Sequence, residues 1–216
     1  AKLLTSYAGF LLETEIKNLT PLLSKFARPL TLIVGGAKVD TKIGLLKNYF
    51  GKADHILIGG ALANTFLHAE GYDIARSLFE PKKIETARAL LMLAEKNSQH
   101  IELPSDVVVA DQITQYSKTL NLPLEDVEGD MKILDIGVKT AKQFGEILKA
   151  SKTVIWNGPM GLYEFTPFAS GTKEIAETLA AMKGKTKTYI GGGDTLDALK
   201  RCGMSVKKFT FVSTGG

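Results

Sequence analysis

Seven short apolar runs, most of them rich in β-branched residues, alternate along this chain with segments of helical period. That alternation limits the fold more than any single motif does. Leu30 to Val34, His55 to Ile58, Val107 to Ala110, Ile133 to Ile136, Thr153 to Trp156, Thr188 to Ile190 and Phe209 to Val212 read as strands. Several are apolar on both faces, as the strands of a parallel sheet covered by helices must be. Between them, Thr41 to Tyr49, Ala61 to Glu70, Pro81 to Lys96, Thr140 to Lys149, Ser170 to Met182 and Thr195 to Arg201 carry apolar residues three and four positions apart. Pro81 suits a first helical turn. Repeated strand, helix, strand units predict a doubly wound α/β domain: a mainly parallel sheet with helices on both faces, a Rossmann-like three-layer sandwich. Ligands of such domains bind at the carboxyl ends of the strands.

Two segments depart from the alternation. Asp111 to Met131 holds Pro123 and the acidic residues Glu125, Asp126, Glu128 and Asp130, and reads as a long surface excursion without a catalytic role. Its carboxylates lack an ordered ligand spacing, so a solvated loop is a better reading than a cation site. Glu13 to Phe26 has helical spacing interrupted at Pro21, either two short helices or one kinked helix.

A chain of 216 residues with 44% hydrophobic content can bury one substantial core, and residues 1–216 read as one domain. The 27 basic and 23 acidic residues are interspersed and leave a net charge of +4, which argues against a nucleic-acid partner. A single cysteine, Cys202, excludes an intrachain disulfide and fits a reducing, cytoplasmic setting. No apolar stretch approaches the roughly 20 residues of a membrane-spanning helix, and no basic then apolar leader opens the chain. The expectation is a soluble protein with no membrane partner.

Glycines gather just beyond the strands: Gly35 and Gly36, Gly59 and Gly60, Gly158 and Gly161, Gly191 to Gly193, and Gly215 and Gly216. In a parallel sheet these ends share one edge, where exposed backbone amides could jointly cradle a nucleotide and its phosphates. Two of the turns add charge. GGAKVDTK, residues 35 to 42, sets Lys38 and Lys42 four apart; a helix starting after the glycines puts both ammonium groups on one face near its amino end. There they either grip phosphates or are solvated helix lysines, and the spacing is not that of a Walker P-loop. In GGGDT, residues 191 to 195, Asp194 or Thr195 either caps the following helix, or Asp194 holds a nucleotide's magnesium while the Gly192 and Gly193 amides face phosphate oxygens.

Trp156, Asn157, Gly158, Pro159, Met160 and Gly161, followed by Tyr163 and Glu164, leave a buried strand as a glycine and proline turn. Such a turn lets the backbone approach a ligand closely, and Asn157 and Glu164 add polar groups. Other chemistries find little support. His55, His68 and His100 are scattered without metal-site spacing. There is no GxSxG elbow, and the first glycine turn is not GxGxxG.

SYAGFLLETEI, GGAKVDTK, IGGALANTF, LPSDVVVAD, WNGPMGLYEF, GGGDT and VSTGG, in that order, resemble the carboxyl-terminal, nucleotide-binding half of the phosphoglycerate kinases, and the resemblance runs through essentially the whole chain. It implies reversible phosphoryl transfer between 1,3-bisphosphoglycerate and Mg-ADP, giving 3-phosphoglycerate and Mg-ATP, a step of glycolysis. By resemblance, Lys38 contacts the transferred phosphoryl group and Lys42 the nucleotide phosphates. Gly192, Gly193 and Thr195 offer donors at a helix start, and Asp194 binds Mg2+. Gly59, Gly60 and Leu134 flank the adenine, Asn157 and Pro159 line the cleft, and Glu164 holds the ribose hydroxyls. Gly215 belongs to a second amide cluster facing the phosphates.

The same resemblance implies that the amino-terminal domain carrying the 3-phosphoglycerate site, and a final carboxyl-terminal segment, lie outside this chain. The expectations are a monomer, weak binding of magnesium nucleotide, and little or no turnover alone. Thr41 stands where some relatives carry an acidic residue near the metal, and Ala61 where many carry glycine. The metal surroundings and the adenine fit are therefore the details in which this chain departs from the family pattern.

Overall fold

The computed structural model describes residues 9–23, 25–97 and 99–213, and within them the strands form two sheets. The larger sheet contains β1 (Leu30–Val34), β2 (His55–Ile58), β3 (His100–Glu102), β7 (Thr153–Asn157), β8 (Lys187–Gly191) and β9 (Phe211–Val212), all parallel, in the spatial order β3-β2-β1-β7-β8-β9. The chain winds outward from β1 to β3, then returns to the middle and winds outward the other way. This is the doubly wound order of dinucleotide-binding domains, with its reversal point between β1 and β7. The register keeps the strand ends level: Val34 aligns with Ile58 on one side and Asn157 on the other, and Asn157 aligns with Gly191.

Side chains alternate across this sheet, which is why the strands read as continuous apolar runs. Leu30, Leu32 and Val34 of β1, with Ile56 and Ile58 of β2, face one core, closed by α2 (Val39–Tyr49), α3 (Gly60–Glu70) and α4 (Ile84–Lys96) through Leu46, Leu62, Phe66 and Leu90. Ile33, Leu57, Val154 and Trp156 face the opposite core, closed by α5 (Val138–Ala150), α6 (Ser170–Ala181) and α7 (Gly193–Arg201) through Phe144, Leu148, Ile175, Leu179 and Leu199. The three-layer expectation holds.

The sheet is not continuous, however. Val107 to Ala110 and Ile133 to Ile136, expected as members of one mainly parallel sheet, belong to β4 (Asp106–Ala110) and β6 (Lys132–Ile136). With β5 (Leu120–Pro123) they form a separate antiparallel sheet in the order β5-β4-β6, over a core of its own. It interrupts the crossover from β3 to β7. The excursion from Asp111 to Met131 is therefore partly ordered, with β5 pairing along β4. Asp106 joins this sheet to the helical layer. Its carboxylate accepts from the Thr140 amide at 2.7 Å, the Lys139 amide at 3.0 Å, the Thr140 hydroxyl at 2.6 Å and the Asn121 side-chain amide at 2.8 Å. The carboxylate thus caps the start of α5, whose own N-cap, Gly137, has no side chain to do so.

Smaller differences have local causes. The Pro81 segment opens as a 3-10 turn over Pro81–Lys83 before α4 begins. The Glu13 to Phe26 region is two pieces, α1 (Phe10–Leu19) and a 3-10 turn over Thr20–Leu23 that contains Pro21. Of Phe209 to Val212, only the last two residues pair as β9.

Candidate functional site

The turns leaving β1, β2 and β7 interlock through their backbones. Gly35 donates to the Asn157 carbonyl at 2.9 Å, Gly36 to the Pro159 carbonyl at 2.9 Å, Gly59 to the Val34 carbonyl at 3.0 Å and Gly60 to the Met160 carbonyl at 2.8 Å. A Cβ on Gly35 would sit 2.0 Å from the Pro159 carbonyl oxygen, and one on Gly158, which has φ of +97°, would sit 2.2 Å from the Gly35 oxygen. Glycine is required because three stretches of backbone pass within contact of one another. This takes five amides out of the expected shared cradle. The amides of Gly35, Gly36, Gly59 and Gly60 are spent on one another's turns, and that of Gly158 on the Thr195 hydroxyl at 2.7 Å.

Beside the interlocked turns, at the carboxyl edge of the sheet, lies an apolar cleft of about 240 Å³. Gly36, Ala37, Gly60, Ala61, Leu134, Pro159 and Leu162 line it, together with Leu78 and Ile113. Part of this lining is held by hydrogen bonds. The Leu162 amide donates to the Leu134 carbonyl at 2.8 Å, and the Asn64 side chain of α3 donates to the Leu78 carbonyl at 3.0 Å. Ile113 comes from the excursion, so that segment reaches the cleft after all.

The polar features of the cleft are Glu164, Tyr163 and Asp194. The Tyr163 hydroxyl is engaged by Asp197 at 3.2 Å. Burial pushes the phenol's pKa up, and the nearby Glu164 carboxylate adds to the rise. Asp194 is exposed in the first turn of α7, where the first amides have no acceptor within the helix. Asp194 lines the cleft, and the start of a helix beside a carboxylate suits an anion accompanied by a cation. The alternative in which Asp194 or Thr195 caps α7 does not hold: Gly192 is the N-cap, and no side-chain cap bond forms. Thr195 is fully buried, and its hydroxyl links two turns, accepting from Gly158 and donating to the Gly191 carbonyl at 2.8 Å.

Lys42 is half-buried near the base of α2, and its ammonium group donates to the Asn157 side-chain oxygen. Burial lowers its pKa, and the Asp194 charge opposes that shift. Lys38 behaves differently. Helix α2 starts at Val39, Lys38 is the extended N-cap residue, and its side chain is exposed. The two lysines therefore do not share a helix face. Behind the cleft, the buried Asp135 carboxylate accepts from the Ile136 amide at 2.9 Å and the Gly171 amide at 2.7 Å. Burial pushes its pKa up to about 8.

Of the residues singled out in the sequence, Gly36, Gly60, Ala61, Leu134, Pro159, Gly161, Glu164 and Asp194 line the cleft. Gly59, Asn157 and Thr195 lie one layer behind, in the interlocked turns. Gly192 adjoins Asn157, a Cβ there coming within 3.3 Å of the Asn157 side-chain oxygen, and Gly193 is the first residue of α7. Gly215 lies outside the described residues. Leu78, Ile113, Leu162 and Tyr163 were not singled out for the cleft. Only Leu162 and Tyr163 carried a signal, as neighbours within the Trp156 to Glu164 turn. Among the described residues no three His, Cys, Asp or Glu side chains cluster as a metal site, and no helix is long and apolar enough to cross a membrane.

The family model for phosphoglycerate kinase matches residues 1–216. The chain belongs to the phosphoglycerate kinase family. It is 42% identical over 216 residues to phosphoglycerate kinase of a Roseiflexus species, and 43% identical over 215 residues to that of Zymomonas mobilis. These matches take in 100% and 99% of the chain and 54% of each relative. The chain therefore spans about half the length of the curated phosphoglycerate kinases it matches. The solved phosphoglycerate kinase of Coxiella burnetii superposes with a TM-score of 0.91 at 38% identity, covering 97% of this chain and 53% of that one. That of Pyrococcus horikoshii gives 0.81 at 30% identity, covering 96% and 52%. The parallel sheet with helices on both faces is thus the α/β fold of solved phosphoglycerate kinases.

Proposed function

We propose that this chain is the nucleotide-binding, carboxyl-terminal half of a phosphoglycerate kinase. In this reading it holds Mg-ADP or Mg-ATP while a phosphoryl group passes between the nucleotide and the acyl phosphate of 1,3-bisphosphoglycerate. The observation that carries the reading is the apolar cleft at the reversal point of the sheet, lined at the start of α7 by Asp194. An adenine ring fits between apolar walls that approach through glycine and alanine, and phosphates suit a helix amino terminus.

Gly59, Gly60 and Leu134 flank the adenine, Pro159 lines the cleft with Asn157 behind it, and Glu164 accepts from the ribose hydroxyls. Gly192, Gly193 and Thr195 belong to the phosphate end. Lys42, held by Asn157 and drawn toward Asp194, brings one positive charge to the nucleotide phosphates. Lys38, exposed at the mouth of α2, is free to meet the transferred group, and Gly215 supplies a further amide. A terminal ADP oxygen forms a bond to the acyl phosphate phosphorus as the bond to the acyl oxygen breaks, leaving the carboxylate of 3-phosphoglycerate. Such transfer depends on positioning and charge neutralisation and needs no covalent intermediate on the protein. Mg2+, when bound, would neutralise phosphate charge, and Asp194 fits it as a single carboxylate supplemented by phosphate oxygens and water.

The 3-phosphoglycerate site belongs, in this reading, to the part of the relatives' length that this chain does not match. Phe10, Leu11, Leu12 and Ile16 of α1 are exposed, an apolar surface suited to contact with that part. The second reading is a nucleotide-binding module with little or no turnover by itself, expected in a cytoplasmic setting as a monomer. Calorimetry with ADP and Mg2+ tests the binding claim, and no heat at millimolar nucleotide overturns both readings. A coupled assay separates them, since appreciable acyl phosphate formation by these 216 residues alone sinks the binding-only reading.

A further inference from the structure

Gln115 stands in the excursion between β4 and β6, far in sequence from the Trp156 to Phe165 turn, yet its one side-chain amide bridges to that turn twice. Its Nε2 donates to the Glu164 carbonyl at 3.0 Å, and its Oε1 accepts from the Thr166 amide at 3.0 Å. The two bonds bracket the backbone on either side of Phe165 and leave the Glu164 side chain free in the cleft. The segment that carries Gln115 is knit internally. The Ser117 hydroxyl donates to the Gln112 carbonyl at 2.7 Å and accepts from the Thr114 amide at 2.9 Å. Gln115 thus projects from a closed turn with its own supports, and the same turn carries Ile113 to the cleft.

We infer that Gln115 is a positioning residue for sugar recognition: by clamping the backbone at Glu164 and Thr166, it fixes where the Glu164 carboxylate meets the nucleotide's hydroxyls. The inference rests on the reading of Glu164 as the ribose ligand. A side chain amide is suited to this, since it offers one donor and one acceptor in a fixed plane, matching a carbonyl and an amide two residues apart. Both bonds are solvent-exposed, so their loss leaves global stability nearly unchanged while loosening the loop that presents Glu164.

The test uses the 216-residue chain and its Gln115→Ala, Glu164→Ala and double variants. Each is titrated with Mg-ADP and with Mg-2′,3′-dideoxy-ADP, which lacks the hydroxyls. Gln115→Ala is expected to weaken ADP about three- to tenfold, the range of one or two net hydrogen bonds, and to leave the dideoxy analogue within about twofold. The double variant should bind ADP as Glu164→Ala does, because the two residues act through one contact. Equal weakening of both ligands by Gln115→Ala, or additive losses in the double variant, overturns the inference. Weakening by Glu164→Ala alone, with Gln115→Ala binding ADP as the wild type does, overturns it while sparing the ribose reading. Unchanged ADP binding by Glu164→Ala removes the ribose reading and this inference with it.

Discussion

The Lys42 ammonium group of α2 donates to the Asn157 side-chain oxygen at the end of β7, joining the two turns on either side of the sheet's reversal point. Burial works against that charge: it holds the Lys42 pKa below that of a free lysine, with Asp194 only partly offsetting the shift. A lysine whose folded pKa is depressed costs stability while protonated. The cost is full below the folded pKa and fades as pH rises toward the unfolded value. Lys42→Met is therefore expected to raise the melting temperature at pH 7 by about 2–4 °C per kcal/mol recovered, with the gain shrinking at alkaline pH. The same change should weaken Mg-ADP about tenfold or more, the scale of a lost charged hydrogen bond. Thermal unfolding and calorimetry on one preparation check both signs, and a variant that loses stability at pH 7 contradicts this account of Lys42.

Two glycines should respond to alanine in opposite directions. Gly35 has no room, because a Cβ would lie 2.0 Å from the Pro159 oxygen and 2.8 Å from the Gly158 oxygen. Backbone atoms cannot rotate away, so Gly35→Ala should cost about 3 kcal/mol or more and distort the cleft. Gly44 lies within α2 with nothing inside 4 Å of a Cβ. There Gly44→Ala should add about 0.5–1 kcal/mol, from better helix propensity and a less free unfolded chain. Urea unfolding of both variants measures the pair.

The larger sheet was legible where strands are buried on both faces. Leu30–Val34 and His55–Ile58 have the boundaries that their apolar runs suggest, and Thr153 to Trp156 needed only Asn157 added. The parts that were not legible share a physical reason. His100–Glu102 is a three-residue edge strand with a single apolar side chain, too short to show a period. Leu120–Pro123 alternates but contains a proline, which an edge strand tolerates and a sequence pattern disfavours. Nothing in the Val107 or Ile133 runs reveals strand direction, so their antiparallel pairing emerges only in three dimensions. At the site, Asp194 was visible as a charge following a glycine run, and Glu164 as a polar group on the turn that follows β7. Leu78 and Ile113 were not, since a leucine or isoleucine lining a cleft looks like any other in sequence. Thr195 was visible for a different reason than its structure gives: its hydroxyl braces two turns from a buried position.

Asp135 should impose a pH slope on stability. Burial, only partly countered by the Gly171 and Ile136 amides, pushes its pKa up to about 8. For an acid raised in the folded state, the stabilising contribution is complete below the unfolded pKa near 4 and is lost as pH rises toward the folded value. Between about pH 5 and 8 the wild type should therefore become less stable, and Asp135→Asn, which cannot titrate, should lose that slope. The variant also exchanges one acceptor for a donor facing the Gly171 amide, so the comparison is of slopes and not of absolute values. Denaturant titrations at half-unit pH steps suffice, and parallel curves for the two proteins would exclude Asp135 as the cause.

Asp106 should act with the opposite sign and at lower pH. Burial alone would raise its pKa, but hydrogen bonds from Asn121, the Thr140 hydroxyl, and the Thr140 and Lys139 amides outweigh that and bring it below the usual carboxylate range. A depressed acid stabilises the fold above its unfolded pKa near 4, and the contribution is lost as pH falls through the folded value. At pH 7, Asp106→Ala should cost about 3 kcal/mol, because it strands the α5 amides and removes the link between the antiparallel sheet and that helix. Asp106→Asn keeps one acceptor oxygen and should fall between the two. The apolar cleft supplies the control: Asp106 does not line it, so, if the cleft holds the nucleotide as proposed, a folded Asp106→Asn variant should bind Mg-ADP within about twofold of wild type while unfolding at lower denaturant. Loss of binding in proportion to loss of stability would mean that the antiparallel sheet and the cleft unfold as one cooperative unit, with Asp106 among the residues that couple them.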